Sequence, residues 1–162
     1  MKSIILFRHG KSNWTADYLS DHDRPVAQRG ILAAKKMGLY LSKNNLVPDK
    51  VVSSTARRAK ETAKIAIKEG NWDRTINFDE SIYGGDVDDL VRIARSQNEQ
   101  HLTLCLIGHE PTFSTFIAYS TNSEYIHFPT ASMAKIDFKV NKWAEIEIGN
   151  GKLDWLLKPK NI

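Results

Sequence analysis

Short apolar runs alternate along the chain with longer segments of helical periodicity. Four runs have the length and composition of buried strands, at residues 4–7, 51–53, 75–78 and 102–107. In other segments, apolar residues recur at three- and four-residue spacing, as in Ile31, Ala34, Met37 and Leu41. Residues 59–66, 87–94 and 113–117 share that spacing. This alternation predicts an α/β sandwich around a mostly parallel sheet.

The end of the chain has a different pattern. Apolar and polar residues alternate over 134–140 and again over 144–148. A period of two is typical of strands that are buried on one face only. We therefore expect a closing hairpin whose two strands cover these two ranges.

The length of the chain favours one domain. Its 162 residues are enough for one hydrophobic core but few for two, and no repeat or linker-like segment divides them. Apolar residues make up 41% and charged residues 26%, which is typical of globular proteins rather than disordered ones. We expect residues 1–162 to form a single domain.

Two features bear on the cellular location. No stretch approaches the roughly 18 apolar residues that would cross a bilayer, and the apolar run at 4–7 is too short for a signal peptide. The lone cysteine, Cys105, lies within an apolar run, where a buried and unreactive thiol is expected. We expect a cytoplasmic protein that does not associate with membranes.

The net charge of +4 does not by itself indicate a nucleic-acid partner. The 23 basic residues are spread along the chain among 19 acidic ones, and no basic block stands out. Binding to a phosphate backbone normally requires clustered positive charge. We expect no nucleic-acid partner, and the charge suits small anionic substrates equally well.

Unusual side chains follow three of the predicted strands. Arg8 and His9 follow the first, Arg57 and Arg58 follow the second, and His109 follows the fourth. In parallel sheets, ligands bind at the carboxyl ends of the strands, next to helix N-termini. Each of these residues alone could be a turn residue or a surface charge. Together they indicate a site for an anion such as a phosphoryl group.

The helix after the second strand leaves one choice open. Ser54 or Thr55 is expected to cap it, which places Arg58 in its first turn. Arg57 has the same chemistry, and spacing alone does not separate the two arginines. Pro111 is expected at the first position of the helix that follows His109.

A neutral histidine at such a site can attack phosphorus. Hydrolysis then divides into formation and breakdown of a phosphohistidine. One ring nitrogen must be unprotonated, and a hydrogen bond, for instance to a backbone carbonyl, should hold the other. Arginines and a second histidine can neutralise the phosphoryl oxygens without Mg²⁺, so we expect no cofactor and no metal.

Three segments resemble motifs of the histidine phosphatase superfamily, which includes phosphoglycerate mutases and acid phosphatases. LFRHGKSNW matches its Arg-His-Gly signature, SSTARRAKETA is similar to its second motif, and LIGHEP resembles its second-histidine motif. They occur in the superfamily's order over residues 4–111. The resemblance implies a three-layer α/β/α fold of the phosphoglycerate mutase type.

The segment DRPVAQRG (residues 23–30) resembles the SixA-type phosphohistidine phosphatases. The resemblance implies that His9 is the nucleophile and that Arg8 and His109 bind phosphate. It also implies that Arg58, rather than Arg57, completes the site. Two positions depart from the superfamily pattern: position 55 is threonine where proline is common, and position 15 is threonine where mutases often have a phosphate-binding asparagine. The second departure argues against a mutase.

Glu80 is the candidate general acid. It lies in DESIYGG, which resembles an Asn-Glu-x-x-Tyr-Gly stretch of mutases. A surface carboxylate at the start of the next helix is the other interpretation, and Asp79 is a competing acid.

We expect a phosphatase whose substrate is a phosphorylated small molecule or a phosphohistidine-bearing protein. A phosphomutase is the alternative enzyme, but it would need a larger closed pocket, and the chain has little sequence for a lid. A non-catalytic phosphate- or phosphoprotein-binding module is the alternative outside enzymes. Such a module would not need to keep His9.

Overall fold

A six-stranded mixed sheet forms the centre of the protein, as described for residues 1–162 by a computed structural model. In space the strands run in the order β3-β2-β4-β1-β5-β6. The first four in that order are parallel, and β5 and β6 are antiparallel to their neighbours. The strands are β1 (Lys2–Arg8), β2 (Lys50–Ser53), β3 (Ile76–Phe78), β4 (Thr103–Gly108), β5 (Met133–Phe138) and β6 (Gly151–Leu157). The predicted mostly parallel sheet is confirmed.

Four helices cover the two faces of the sheet. They are α1 (Gln28–Lys43), α2 (Arg57–Gly70), α3 (Val87–Arg95) and α4 (Thr112–Thr121). Apolar side chains of α1 and α2 share one core cluster, and those of α3 and α4 share the other. The predicted three-layer α/β/α arrangement is therefore confirmed. No helix is both long and apolar enough to cross a membrane.

Of the four strands that were predicted to be buried, β3 is not: it lies at the edge of the sheet, with Asn77 and Phe78 exposed. Strand β1 shows why the other three are continuous apolar runs. Ile4 and Leu6 belong to the core cluster under α3 and α4, whereas Ile5 and Phe7 belong to the cluster under α1 and α2. A strand that is covered on both faces cannot alternate apolar with polar residues. Cys105, in β4, is likewise fully buried, and burial raises the pKa of its thiol.

Helices α1 and α2 approach each other closely at Gly38. A Cβ at this position would lie 2.2 Å from the carbonyl oxygen of Ala66, so only glycine fits without displacing backbone. This contact fixes α2, and with it Arg58, relative to α1.

The closing hairpin is present, but its second strand was predicted in the wrong place. Residues 143–145 form a single 3₁₀ turn, and the second strand is β6 at 151–157. The apolar pattern after residue 142 arises because Trp143 and Ile146 insert into the core, where the Trp143 Nε1–H donates to the His101 carbonyl at 2.8 Å. β6 is an edge strand of intermediate burial, which weakens its own apolar alternation.

Candidate active site

The three segments that were expected to carry the chemistry meet at one edge of the sheet. Strands β1, β4 and β2 are neighbours and parallel, so the segments after Arg8, Gly108 and Ser53 emerge side by side. The imidazole rings of His9 and His109 have their centroids 5.3 Å apart. Parallel pairing therefore brings together residues that are 100 positions apart in the chain.

The backbone around His9 is fixed on both sides. Its N–H donates to the Gly108 carbonyl at 3.0 Å, and its carbonyl accepts from the Ala131 N–H at 3.0 Å. The Gly10 N–H donates to the Thr62 hydroxyl of α2 at 2.9 Å. The histidine is thus tied to β4, to the loop before β5 and to α2.

The His9 ring is held in one tautomer. Its Nδ1 lies 2.7 Å from the Gly10 carbonyl oxygen, which can only accept, so Nδ1 carries the hydrogen. In the neutral ring, Nε2 then has the free electron pair. Burial lowers the pKa of His9 to about 4. The hydrogen bond to Gly10 opposes this shift, and the nearby positive charges of Arg58 and Arg8 add to it. His9 is therefore neutral at pH 7.

His109 is also neutral, and its side chain is half-buried within the site. Burial, together with the proximity of His9 and Arg58, lowers the pKa of His109 to about 3. Its Nε2 lies 2.8 Å from the Ser54 hydroxyl oxygen. Its Nδ1 is buried and has no hydrogen-bond partner in the protein.

The turn before α2 differs from the predicted cap. The N-cap residue is Ala56, whose N–H donates to the Ser54 hydroxyl at 3.1 Å. The Thr55 hydroxyl oxygen lies 2.9 Å from the ring nitrogen Nε2 of His22. Neither hydroxyl caps the helix, and each lies within hydrogen-bond distance of a histidine ring, His109 for Ser54 and His22 for Thr55. Pro111 is likewise one residue earlier than expected, because α4 begins at Thr112.

The structure separates the two candidate arginines. Arg58 is buried and donates to both the carbonyl and the carboxylate of Asp21, at 2.8 and 3.1 Å. Arg57 is exposed and pairs with Glu61, one helical turn away, at 3.5 Å. Only Arg58 faces the site, which agrees with the register of the family motif.

Three buried nitrogens in the site lack a hydrogen-bond partner in the protein. They are Nε of Arg8, Nε of Arg58 and Nδ1 of His109. Arg8 uses its terminal nitrogen to donate to the Phe128 carbonyl at 3.0 Å, which leaves its Nε free. Leaving a buried donor unsatisfied is costly, and such groups are rare in folded proteins. With two guanidinium charges beside them, these nitrogens suit a tetrahedral oxyanion.

Three residues of the site were missed as candidates: Asp21, Arg24 and Tyr83. Asp21 lies in a 3₁₀ turn over Arg58, pairs with Arg24, and accepts from the Tyr83 hydroxyl at 2.8 Å. Burial raises the pKa of Asp21, but the hydrogen bonds from Tyr83 and Arg24 and the charge of Arg58 outweigh it and lower that pKa to about 2. The ring of Tyr83 meets that of His109 edge-on, with centroids 5.6 Å apart.

The signals that could have found them differ in strength. Arg24 and Tyr83 lie within the quoted segments DRPVAQRG and DESIYGG, so the family motifs contained them. Asp21 carries no such signal, because it is one polar residue in a polar loop.

Glu80 forms no hydrogen bond with either His9 or His109. It begins a short 3₁₀ turn (Glu80–Ile82), its side chain is exposed, and its carboxylate forms no hydrogen bond or ion pair within the protein. The Asp79 carboxylate accepts from the backbone N–H and the hydroxyl of Ser81, at 2.9 and 2.6 Å, and so caps that turn. Thr15, the second position that departs from the family pattern, is exposed, and its hydroxyl donates a hydrogen bond to the Asn13 side-chain oxygen.

Solved structures share this fold over nearly the whole chain. The protein histidine phosphatase SixA complexed with tungstate superposes with a TM-score of 0.84 at 22% identity, covering 98% of each chain. A phosphohistidine phosphatase SixA described as putative, from Agrobacterium tumefaciens, gives 0.80 at 22% identity, again over 98% of each chain. A phosphoserine phosphatase mutant from Entamoeba histolytica, in complex with phosphoserine, gives 0.71 at 16% identity over 100% of each chain.

Sequence comparisons identify the family to which the chain belongs. An uncharacterized protein of Mycobacterium tuberculosis is 32% identical over 152 residues, which cover 88% of this chain and 92% of the relative. A 2,3-bisphosphoglycerate-dependent phosphoglycerate mutase of Bifidobacterium longum is 39% identical, but over only 66 residues, 40% of this chain and 27% of the mutase. Residues 4–101 match the family model of the histidine phosphatase superfamily, branch 1. Since that match covers more than half of the chain, the protein belongs to the histidine phosphatase superfamily.

Proposed function

We propose that this protein is a metal-independent phosphatase in which His9 is the nucleophile. The observation that carries the proposal is the state of the His9 ring. Its Nδ1–H is fixed on the Gly10 carbonyl, its pKa is low, and its Nε2 is left with a free electron pair beside two guanidinium groups. A neutral, oriented imidazole next to an anion site is what attack on a phosphoryl group requires.

Arg8, Arg58 and His109 are proposed to hold the phosphoryl group. Each has a buried nitrogen without a protein partner, and the two arginines bring full positive charge. The transition state of phosphoryl transfer spreads negative charge over the equatorial oxygens, which fixed positive groups stabilise. In the first step, His9 Nε2 forms a bond to phosphorus as the bond to the leaving group breaks. In the second, water attacks the phosphohistidine, releases phosphate and a proton, and restores His9.

Phosphohistidine on a protein is our first candidate substrate. The match to SixA structures over almost all of both chains supports it. The exposed position of Glu80 supports it as well, because an imidazole leaving group has a conjugate acid of pKa about 6.5 and needs little help from a protein acid. A small phosphomonoester is the second candidate, supported by the fold shared with a phosphoserine phosphatase.

Covalent labelling tests the nucleophile. Brief exposure of the wild type to a ³²P-labelled substrate, followed by acid-free denaturation, should leave label on His9 that is stable to base and labile to acid. His9→Ala should abolish turnover with the circular dichroism spectrum unchanged, while the control His127→Ala, at an exposed position, should retain full activity. Activity should persist in the presence of a metal chelator. Label on a serine, or normal turnover by His9→Ala, would refute the mechanism.

Substitution of Glu80 distinguishes the two substrate classes. An alkyl phosphate must expel a basic alkoxide, for which a positioned acid contributes on the order of 10²- to 10⁴-fold. If phosphohistidine is the substrate, Glu80→Gln should change the rate of phosphohistidine hydrolysis less than twofold and should reduce the rate of alkyl phosphate hydrolysis by a larger factor. Glu124→Gln, at an exposed position, serves as the control. Strong activity on the ester that Glu80→Gln removes, with negligible phosphohistidine turnover throughout, would favour the small-ester alternative.

A further inference from the structure

A basic cleft lies beside the loop that carries His9. Lys11, Arg29, Lys158 and Lys160 line a depression of about 110 Å³, together with small and polar residues of α1 and of the loop before β5. Lys36 borders it, since its Nζ donates to the Pro159 carbonyl at 2.6 Å. We refer to these five cationic side chains as the basic cleft.

Topology places the basic cleft at the same edge of the sheet as His9. β6 is antiparallel to β5, which is antiparallel to β1, so β6 ends where β1 ends, and Lys158 follows directly. Lys11 is two residues after His9. On the other wall, Thr130 precedes Ala131, whose N–H donates to the His9 carbonyl.

The charges of the basic cleft are not neutralised within the protein. None of its five cations has a carboxylate within 4.0 Å, and no acidic residue lines the depression. Five of the 23 basic residues, which are scattered along the sequence, are therefore gathered around one depression without a carboxylate partner.

We propose that the basic cleft docks an acidic patch of a phosphoprotein substrate while His9 attacks the phosphoryl group. The inference rests on the proposed phosphatase function and specifies the protein surface that it acts on. A phosphohistidine on a protein reaches His9 together with its neighbouring residues, and the basic cleft lies at the same edge of the sheet, where it can contact them. Carboxylates there complement its charge, orient the substrate and accelerate encounter.

The lining of the cleft argues against nucleic acid as the partner. No aromatic side chain is among its residues, so it offers no surface on which bases could stack. Its volume accommodates carboxylate groups of side chains rather than a nucleotide.

Charge reversal at the C-terminal end of the chain isolates the docking role. The test variant is Lys158→Glu/Lys160→Glu. The control is Lys139→Glu/Lys152→Glu, at the opposite end of the β5–β6 hairpin, with the same change in net charge. All four side chains are free of hydrogen bonds and ion pairs, and none belongs to the proposed catalytic machinery.

The substrates are two synthetic phosphohistidine peptides, identical except that glutamates in one are glutamines in the other. The wild type and the control should prefer the glutamate peptide by about tenfold in kcat/KM at low salt, and the test variant should lose that preference. All three proteins should hydrolyse p-nitrophenyl phosphate equally. Equal use of the two peptides by the wild type, or a preference that survives in the test variant, would overturn the proposal. The proposal would also be overturned if the test variant lost as much activity on p-nitrophenyl phosphate as on the glutamate peptide.

A binding measurement separates failure of docking from failure of the proposed function. Fluorescence anisotropy would follow the unphosphorylated glutamate peptide and a single-stranded oligonucleotide of equal charge. If neither phosphopeptide is hydrolysed but the glutamate peptide binds the wild type and not the test variant, the substrate assignment fails and the docking surface stands. Tighter binding of the oligonucleotide, lost in the test variant, would overturn docking of an acidic protein in favour of nucleic acid.

Discussion

The low pKa of His9 predicts that the proposed nucleophile stays active at acidic pH. With a pKa of about 4, about 90% of His9 is neutral at pH 5, whereas an imidazole of pKa 6.5 would be about 3% neutral. The difference is about 30-fold in nucleophile concentration. Burial is the main cause and the charges of Arg58 and Arg8 add to it, so Arg58→Ala should raise the pKa, and Arg57→Ala, at an exposed position, should not.

Two measurements would test the low pKa of His9. The C2 proton of His9, assigned by comparison with His9→Ala, should titrate near pH 4 in NMR spectra of the wild type. The acidic limb of kcat/KM for p-nitrophenyl phosphate should lie well below pH 6.5 after correction for ionisation of the substrate. A His9 midpoint between pH 6 and 7 would refute the electrostatic account of the site, as would a midpoint that does not move upward in Arg58→Ala.

The same low pKa makes folding sensitive to acid. Below pH 6.5 the unfolded chain binds a proton at this histidine, while the folded protein does not until about pH 4. The contribution of His9 to stability should therefore fall with decreasing pH, by about 1.4 kcal/mol per unit and about 3 kcal/mol over this window, and the low pKa of His109 acts in the same direction. The free energy of unfolding in urea should be lower at pH 5 than at pH 7, and this difference should be smaller in His9→Ala. A larger stability at pH 5 than at pH 7 would contradict the sign.

Three further predictions concern the arginines, the anion site and the helix contact. Arg58→Ala should raise KM and lower kcat together, by more than tenfold in kcat/KM, while Arg57→Ala changes either by less than twofold; the reverse order would mean that the wrong arginine faces the site. Inorganic phosphate should stabilise the protein by about 2.7 kcal/mol at 100 times its Kd, seen as a rise in Tm that Arg58→Ala removes, and an unchanged Tm would contradict an anion site. Gly38→Ala should destabilise the fold by about 1–3 kcal/mol in urea unfolding, because its Cβ would lie 2.2 Å from the Ala66 carbonyl oxygen; an unchanged midpoint would show that the helices separate easily.

The parts of the fold that were predictable are those with a local cause. Buried strands are continuous apolar runs because both faces are covered, and each amphipathic helix repeats its apolar residues because it lies on the sheet. The meeting of His9, Arg58 and His109 followed from the rule that parallel strands end at a common edge. The second strand of the hairpin was misplaced because buried Trp143 and Ile146 in a turn imitate strand alternation.

What the sequence did not reveal depends on contacts between distant residues. Asp21 meets Arg58 across 37 positions and Tyr83 across 62, and nothing local distinguishes it from its polar neighbours. The basic cleft joins Lys11 and Arg29 to the last residues of the chain, so counting charges along the sequence showed only an even spread. Long-range arrangements of charge need the register of the sheet before they become visible.

The electrostatics of the site link the proposed nucleophile, His9, to an anionic substrate. Burial is the main reason that His9 stays unprotonated, and the positive charges of Arg58 and Arg8, which favour an anionic phosphoryl group, add to it. Asp21 anchors Arg58 from the outer side, with about half of its own side chain exposed. Water screens that carboxylate more than it screens the buried guanidinium, so Arg58 is oriented without losing its charge toward His9. In the proposed mechanism, one set of cations therefore attracts the phosphoryl group and helps to keep the attacking imidazole neutral.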